Sequence, residues 1–117
     1  MAVAAAQVNV FQTITEIVGT STVGIYTAPV GYTGVVLLSQ VTNLGSQTHT
    51  VTFNYKRTAN GSNIETPIVQ DLAIPSSDTA NLLSGKLVIE SGDSLSILGS
   101  DATDLNFLSS ILETSNL

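Results

Sequence analysis

The chain alternates apolar and polar side chains in short runs, interrupted about every ten residues by glycine, proline, asparagine or aspartate. A period of two sends successive side chains to opposite faces of an extended strand, and the interrupting residues supply the backbone angles and local hydrogen bonds of turns. The first run, Val10 to Val18, sets Val10, Gln12, Ile14, Glu16 and Val18 against Phe11, Thr13, Thr15 and Ile17. Gly19-Thr20-Ser21 breaks it, and a short run from Val23 to Thr27 follows. Pro29, Gly31 and Gly34 then punctuate a corner that carries Tyr32. Val35 to Asn43 is apolar on both faces, as expected of a central strand.

Leu44-Gly45-Ser46-Gln47 predicts a turn, and Thr48 to Arg57 is the clearest alternation in the chain. Val51, Phe53 and Tyr55 point toward a core, while Thr50, Thr52, Asn54 and Lys56 point toward water. Asn60-Gly61 tolerates the positive φ of a type I′ turn and predicts a hairpin that folds Ile64 to Leu72 back antiparallel. Pro67 has no N–H to donate, which places that run at a sheet edge or at a bulge. Ile74-Pro75-Ser76-Ser77-Asp78 forms a corner, and Thr79 to Leu83 and Lys86 to Glu90 flank a tight turn at Ser84-Gly85. Ser91-Gly92-Asp93 leads into Leu95 to Leu98, and Gly99 to Asp104 into Leu105 to Glu113. In the last run Leu105, Leu108, Ile111 and Leu112 also share a helical face, but Ser109, Ser110 and the preceding string of strands favour a strand.

The expected architecture is all-β: a single-domain antiparallel β-sandwich, jelly-roll or immunoglobulin-like, with eight or nine short strands. Residues 1–9 are expected to form an N-terminal arm and residues 10–117 the sandwich. Met1 to Ala6 is small and apolar but has no positive start and passes quickly into Gln7 and Asn9, so it reads as an arm rather than a signal peptide. No run approaches the roughly 20 apolar residues of a membrane span, so no membrane partner is expected.

Composition narrows the function. Only 10% of the 117 residues are charged, against roughly 25% in ordinary soluble domains. The surface is therefore rich in hydroxyls and amides, which are cheaper to desolvate than charges and suit a protein that packs against copies of itself or a larger body. The net charge of −6 repels polyanions, so nucleic acid is not expected as a direct ligand. The absence of cysteine excludes a disulfide framework, a thiolate nucleophile and any Cys-ligated metal.

Nucleophilic catalysis by Ser or Cys ordinarily needs a histidine base, and the chain has one, His49, at a strand start where a structural role is the ordinary outcome. No nucleophile elbow, phosphate-cradling loop or zinc-protease motif occurs. The nine acids are scattered among turns and strand ends, and with no Trp the chain is poor in the aromatic platforms of a glycosidase. Ser100 to Asp104 offers two carboxylates to calcium without EF-hand spacing, and reads first as an acidic turn. Asn60-Gly61-Ser62 matches a glycosylation sequon that the hairpin already explains. Lys56, Arg57 and Lys86 are expected in ion pairs within or between subunits. The chain is thus expected not to be an enzyme, with no catalytic, cofactor-binding or metal residue assigned and no cofactor.

The run from Ile74-Pro75-Ser76-Ser77-Asp78 through Ser84-Gly85-Lys86 to Glu90-Ser91-Gly92-Asp93-Ser94-Leu95, ending in Ile111-Leu112-Glu113, resembles small virion structural proteins of tailed bacteriophages, particularly marine cyanophages. Ile25-Tyr26-Thr27-Ala28-Pro29-Val30-Gly31-Tyr32-Thr33 is similar to the corner that precedes a buried strand in the same group. The resemblance implies a virion component made in the host cytoplasm. It would be a capsid decoration or cement protein, or a neck, tail or baseplate part, with itself and the major capsid protein as partners. Two alternatives stand beside it. One is a carbohydrate-binding module that uses Tyr26, Tyr32 and Tyr55 as stacking faces; the other is a small hydrolase with paired acids.

Overall fold

The computed structural model describes residues 9–58 and 61–116, which form nine strands and no helix. The strands are β1 (Asn9–Ile17), β2 (Val23–Thr27), β3 (Tyr32–Asn43), β4 (His49–Arg57), β5 (Ile64–Ile74), β6 (Thr79–Asn81), β7 (Leu87–Ile89), β8 (Ser94–Gly99) and β9 (Leu105–Ser115). One sheet has the order β1-β9-β3-β6, with β7 also on β3, and the other the order β2-β8-β4-β5. Every pairing is antiparallel. β1 pairs with β9, β2 with β8, β3 with β6 and β7, and β4 with β5. This is one long hairpin, folded about the β4–β5 loop and rolled until β3 meets β9 and β4 meets β8. That connectivity is a jelly roll and resolves the choice left open between jelly-roll and immunoglobulin-like sandwiches.

Turn chemistry dictates the corners. The Tyr32 N–H donates to Pro29 O at 3.0 Å across Gly31 at φ 85, and the Asp93 N–H donates to Glu90 O at 2.9 Å across Gly92 at φ 87. Both have the positive φ at the third residue that a type II turn requires, where a side chain would be strained. The corner at Pro75 uses Ser77, φ 61, in the same place. Gly61 has the positive φ expected of the β4–β5 hairpin, whereas Asn60, the other half of that signal, lies outside the described residues. So does nearly all of the expected N-terminal arm; its last residue, Asn9, already belongs to β1.

The core lies between the sheets. From β9 come Leu105, Phe107 and Ile111, alternating as a strand and not as a helix; from β3 Val36 and Val41; from β4 Val51 and Phe53; from β8 Leu95 and Ile97. Pro67 sits as expected twice over, on edge strand β5 and beside a register shift.

β3 departs from the strand expected from its sequence. β3 is not buried on both faces: Leu37 and Leu38 are exposed. A bulge between Val36 and Leu38 inserts a residue, so the inward set changes from Gly34 and Val36 to Ser39, Val41 and Asn43. The Ser109 hydroxyl donates to Leu38 O at 2.7 Å and lies 2.9 Å from Ser39 Oγ, which satisfies the polar groups the bulge brings inward.

Candidate assembly surface and polar clusters

Registers across the first sheet place Asn9, Phe11, Thr13, Thr15 and Ile17 on its outer face, beside Thr114, Leu112, Ser110, Leu108 and Asn106 of β9. Thr33, Val35, Leu38, Gln40 and Thr42 of β3 continue the same rows. No Asp, Glu, Lys or Arg occurs among these positions, because Glu16 and Glu113 fall on the opposite parity and face inward. One row, Phe11–Leu112–Val35–Val88, is apolar across four strands, and Phe11 is 72% exposed.

The edges of the two sheets differ. β5 carries Pro67, Glu65, two register shifts and Asp71 at φ 50, devices that blunt pairing with another chain. β1 is nine residues long, pairs with β9 without a register shift and contains no proline; its one charge is Glu16, which faces inward. It is the edge best able to accept a further strand.

Three polar clusters punctuate the sandwich. Tyr26 reaches from the second sheet across Gly34 and donates to Glu113 Oε2 at 2.6 Å; a Cβ on Gly34 would lie 2.7 Å from the ring. Burial, and then the bond to Glu113, raises the Tyr26 hydroxyl above the ordinary tyrosine range.

In the second cluster the fully buried Asp93 accepts from the Tyr55 hydroxyl at 2.7 Å and the Thr58 N–H at 2.8 Å. Arg57 lies over the Tyr55 ring and pairs with Glu90 at 2.8 Å, the ion pair expected of that cation. Tyr55 is pushed up to about 12, chiefly by burial and then by its bond to Asp93, against a smaller opposing effect of the Glu90 N–H. A tyrosine that ionises near 10 when unfolded and about 12 when folded favours the folded state fully below pH 10, and that contribution disappears as pH rises through the window between them. Unfolding free energy measured against pH should therefore fall over that window, where the raised Tyr26 adds a contribution of the same sign, and Tyr55→Phe should make the fall shallower. A native profile that is level between pH 10 and 12 would contradict this.

The third cluster was not legible in the sequence. His49 at the start of β4 meets the β8–β9 loop, with Nε2 3.1 Å from Asp104 Oδ2 and 3.7 Å from Asp101 Oδ1. Asp101 also accepts the N–H groups of Thr103 at 3.0 Å and Asp104 at 2.8 Å, which hold its carboxyl below the usual range. The expected acidic turn is therefore present, and His49 is its partner.

With Tyr26 and Tyr55 committed to internal carboxylates, two of the three rings proposed as a sugar platform serve the sandwich instead.

No protein-family model matches the chain, and no curated protein matches it. Solved structures share its fold. A chain of the Bacillus endospore appendages, which form disulfide-linked pili, superposes with a TM-score of 0.53 at 14% identity, covering 98% of this chain and 96% of that one. A chain of the infectious bursal disease virus particle gives 0.58 at 12% identity, and the match spans 92% of this chain but only 31% of that one. The capsid of Helicobacter pylori bacteriophage KHP30 gives 0.54 at 10% identity, with 96% and 94% covered.

Proposed function

We propose that the chain is a non-catalytic structural subunit of a virion, a capsid decoration or cement protein of a tailed phage that associates with copies of itself and with the major capsid protein. The observation that carries this reading is the charge-free outer face of the first sheet, which among the described residues ends in the regular edge strand β1. Such a face loses little on desolvation, and its apolar row supplies the hydrophobic gain of an interface. The fold shared with viral capsid chains supports a capsid-like role.

A second reading, a tail or appendage filament subunit, is favoured by the end-to-end match with the Bacillus appendage chain. Disulfide linkage cannot build that filament here, since the 117 residues contain no cysteine.

Sedimentation velocity of the purified chain, with electron microscopy of its assemblies, tests both readings. The native chain should form closed oligomers that bind virions lacking it; open fibres would select the filament. The double variant Phe11→Lys/Val88→Lys, which alters only exposed positions, should be monomeric with unchanged circular dichroism. A native chain that stays monomeric at high concentration and ignores such virions would refute the proposal.

A further inference from the structure

We infer that His49, Asp101 and Asp104 form a divalent metal site suited to Zn2+, at the end of the sandwich where the β3–β4 and β8–β9 loops meet. The three side chains offer one imidazole nitrogen and two carboxylate oxygens, all within 4.8 Å of one another. Tetrahedral zinc with bonds of about 2.0 to 2.2 Å sets neighbouring ligand atoms about 3.3 to 3.5 Å apart. The two separations from the imidazole, 3.1 and 3.7 Å, bracket that spacing, and the two carboxylate oxygens lie within 4.8 Å of each other, so an ion would draw the carboxylates together, with water as fourth ligand.

The carboxylates are held for this geometry. Asp101 spends Oδ2 on two backbone N–H groups and turns Oδ1 toward the imidazole. Asp104 accepts from the Thr103 hydroxyl on Oδ1 at 3.3 Å and presents Oδ2 to His49. The loop is pinned to β4 by Ser100 N–H to Thr50 O at 3.0 Å and Thr50 N–H to Ser100 Oγ at 2.8 Å, and to the β3–β4 loop by Leu44 N–H to Asp104 O at 2.8 Å. Gly45 makes room: a Cβ there would overlap Asp104 Oδ2.

Charge points the same way. Lys56 and Arg57 lie at the opposite end of β4, and Lys86 lies between β6 and β7. Two carboxylates thus converge with only an imidazole to balance them, a shortfall that a dication meets. A nitrogen ligand and so small a ligand set favour zinc over calcium or magnesium, which demand more oxygens.

His49 is the chain's one histidine, so its imidazole resonances report the site without a variant. Titrating the full chain with ZnCl2 should move those resonances saturably at one equivalent and raise the thermal midpoint, whereas MgCl2 should do neither. His49→Gln and Asp104→Asn should each weaken Zn2+ binding by at least about tenfold while keeping the native circular dichroism. Imidazole resonances unmoved by stoichiometric ZnCl2, or both variants binding as the native chain does, would overturn the assignment.

Discussion

Phe53→Ala is expected to cost about 3 to 5 kcal/mol of folding stability, a large share of the roughly 5 to 15 kcal/mol that hold a domain of this size. Phe53 is fully buried on β4 and its ring centroid lies 5.7 Å from that of Phe107 on β9, tilted by 45°. The two rings join the sheets at mid-sandwich, so truncation removes apolar contact from both and leaves a cavity between strands too well paired to collapse into it. Urea unfolding followed by fluorescence and circular dichroism checks the size: the midpoint should drop with the slope unchanged, and Phe53→Leu should lose much less. A loss below about 1 kcal/mol for the alanine variant would mean that the site repacks, contrary to the close packing described.

Asp93→Ala should be of similar severity, about 3 to 5 kcal/mol, through desolvation rather than volume. The Asp93 carboxylate is the acceptor for the Tyr55 hydroxyl and the Thr58 N–H, and its backbone carbonyl accepts the Ala28 N–H at 3.0 Å. Removing the side chain leaves two part-buried donors without their acceptor, at the point where the β7–β8 turn meets the end of β4. Tyr55→Phe alone should cost about 1 to 2 kcal/mol, and the double variant should cost less than the sum of the two, because the first change has already broken the shared bond. Strict additivity in that cycle would show that the hydroxyl and the carboxylate are not coupled.

The expected strands were legible because alternation and turn chemistry are local. Val23–Thr27 has the predicted bounds, and the other strands differ by a few residues at their ends, where ladder partners extend or shorten pairing. Tyr32 to Gly34 joins β3 because β9 continues alongside it to Ser115. The parity of Phe11 to Ile17 held for the same local reason, and with it the neutral face that carries the proposed function. The β3 bulge was not legible: nothing in Val35-Val36-Leu37-Leu38 marks an inserted residue, and only the Ser109 hydroxyl from β9 makes that register comfortable.

The sequence by itself determined that the chain is an all-β sandwich, that its surface is short of charge and that nothing in it can be linked by disulfides, because composition and periodicity act residue by residue. The tertiary structure decided the jelly-roll connectivity, which sheet edge stays open, and which distant side chains meet. Glu113 with Tyr26, Asp93 with Tyr55, and His49 with Asp101 and Asp104 are separated by 38 residues or more. Their meeting depends on strand pairing and loop closure over the whole chain, a cooperative outcome that no local pattern encodes.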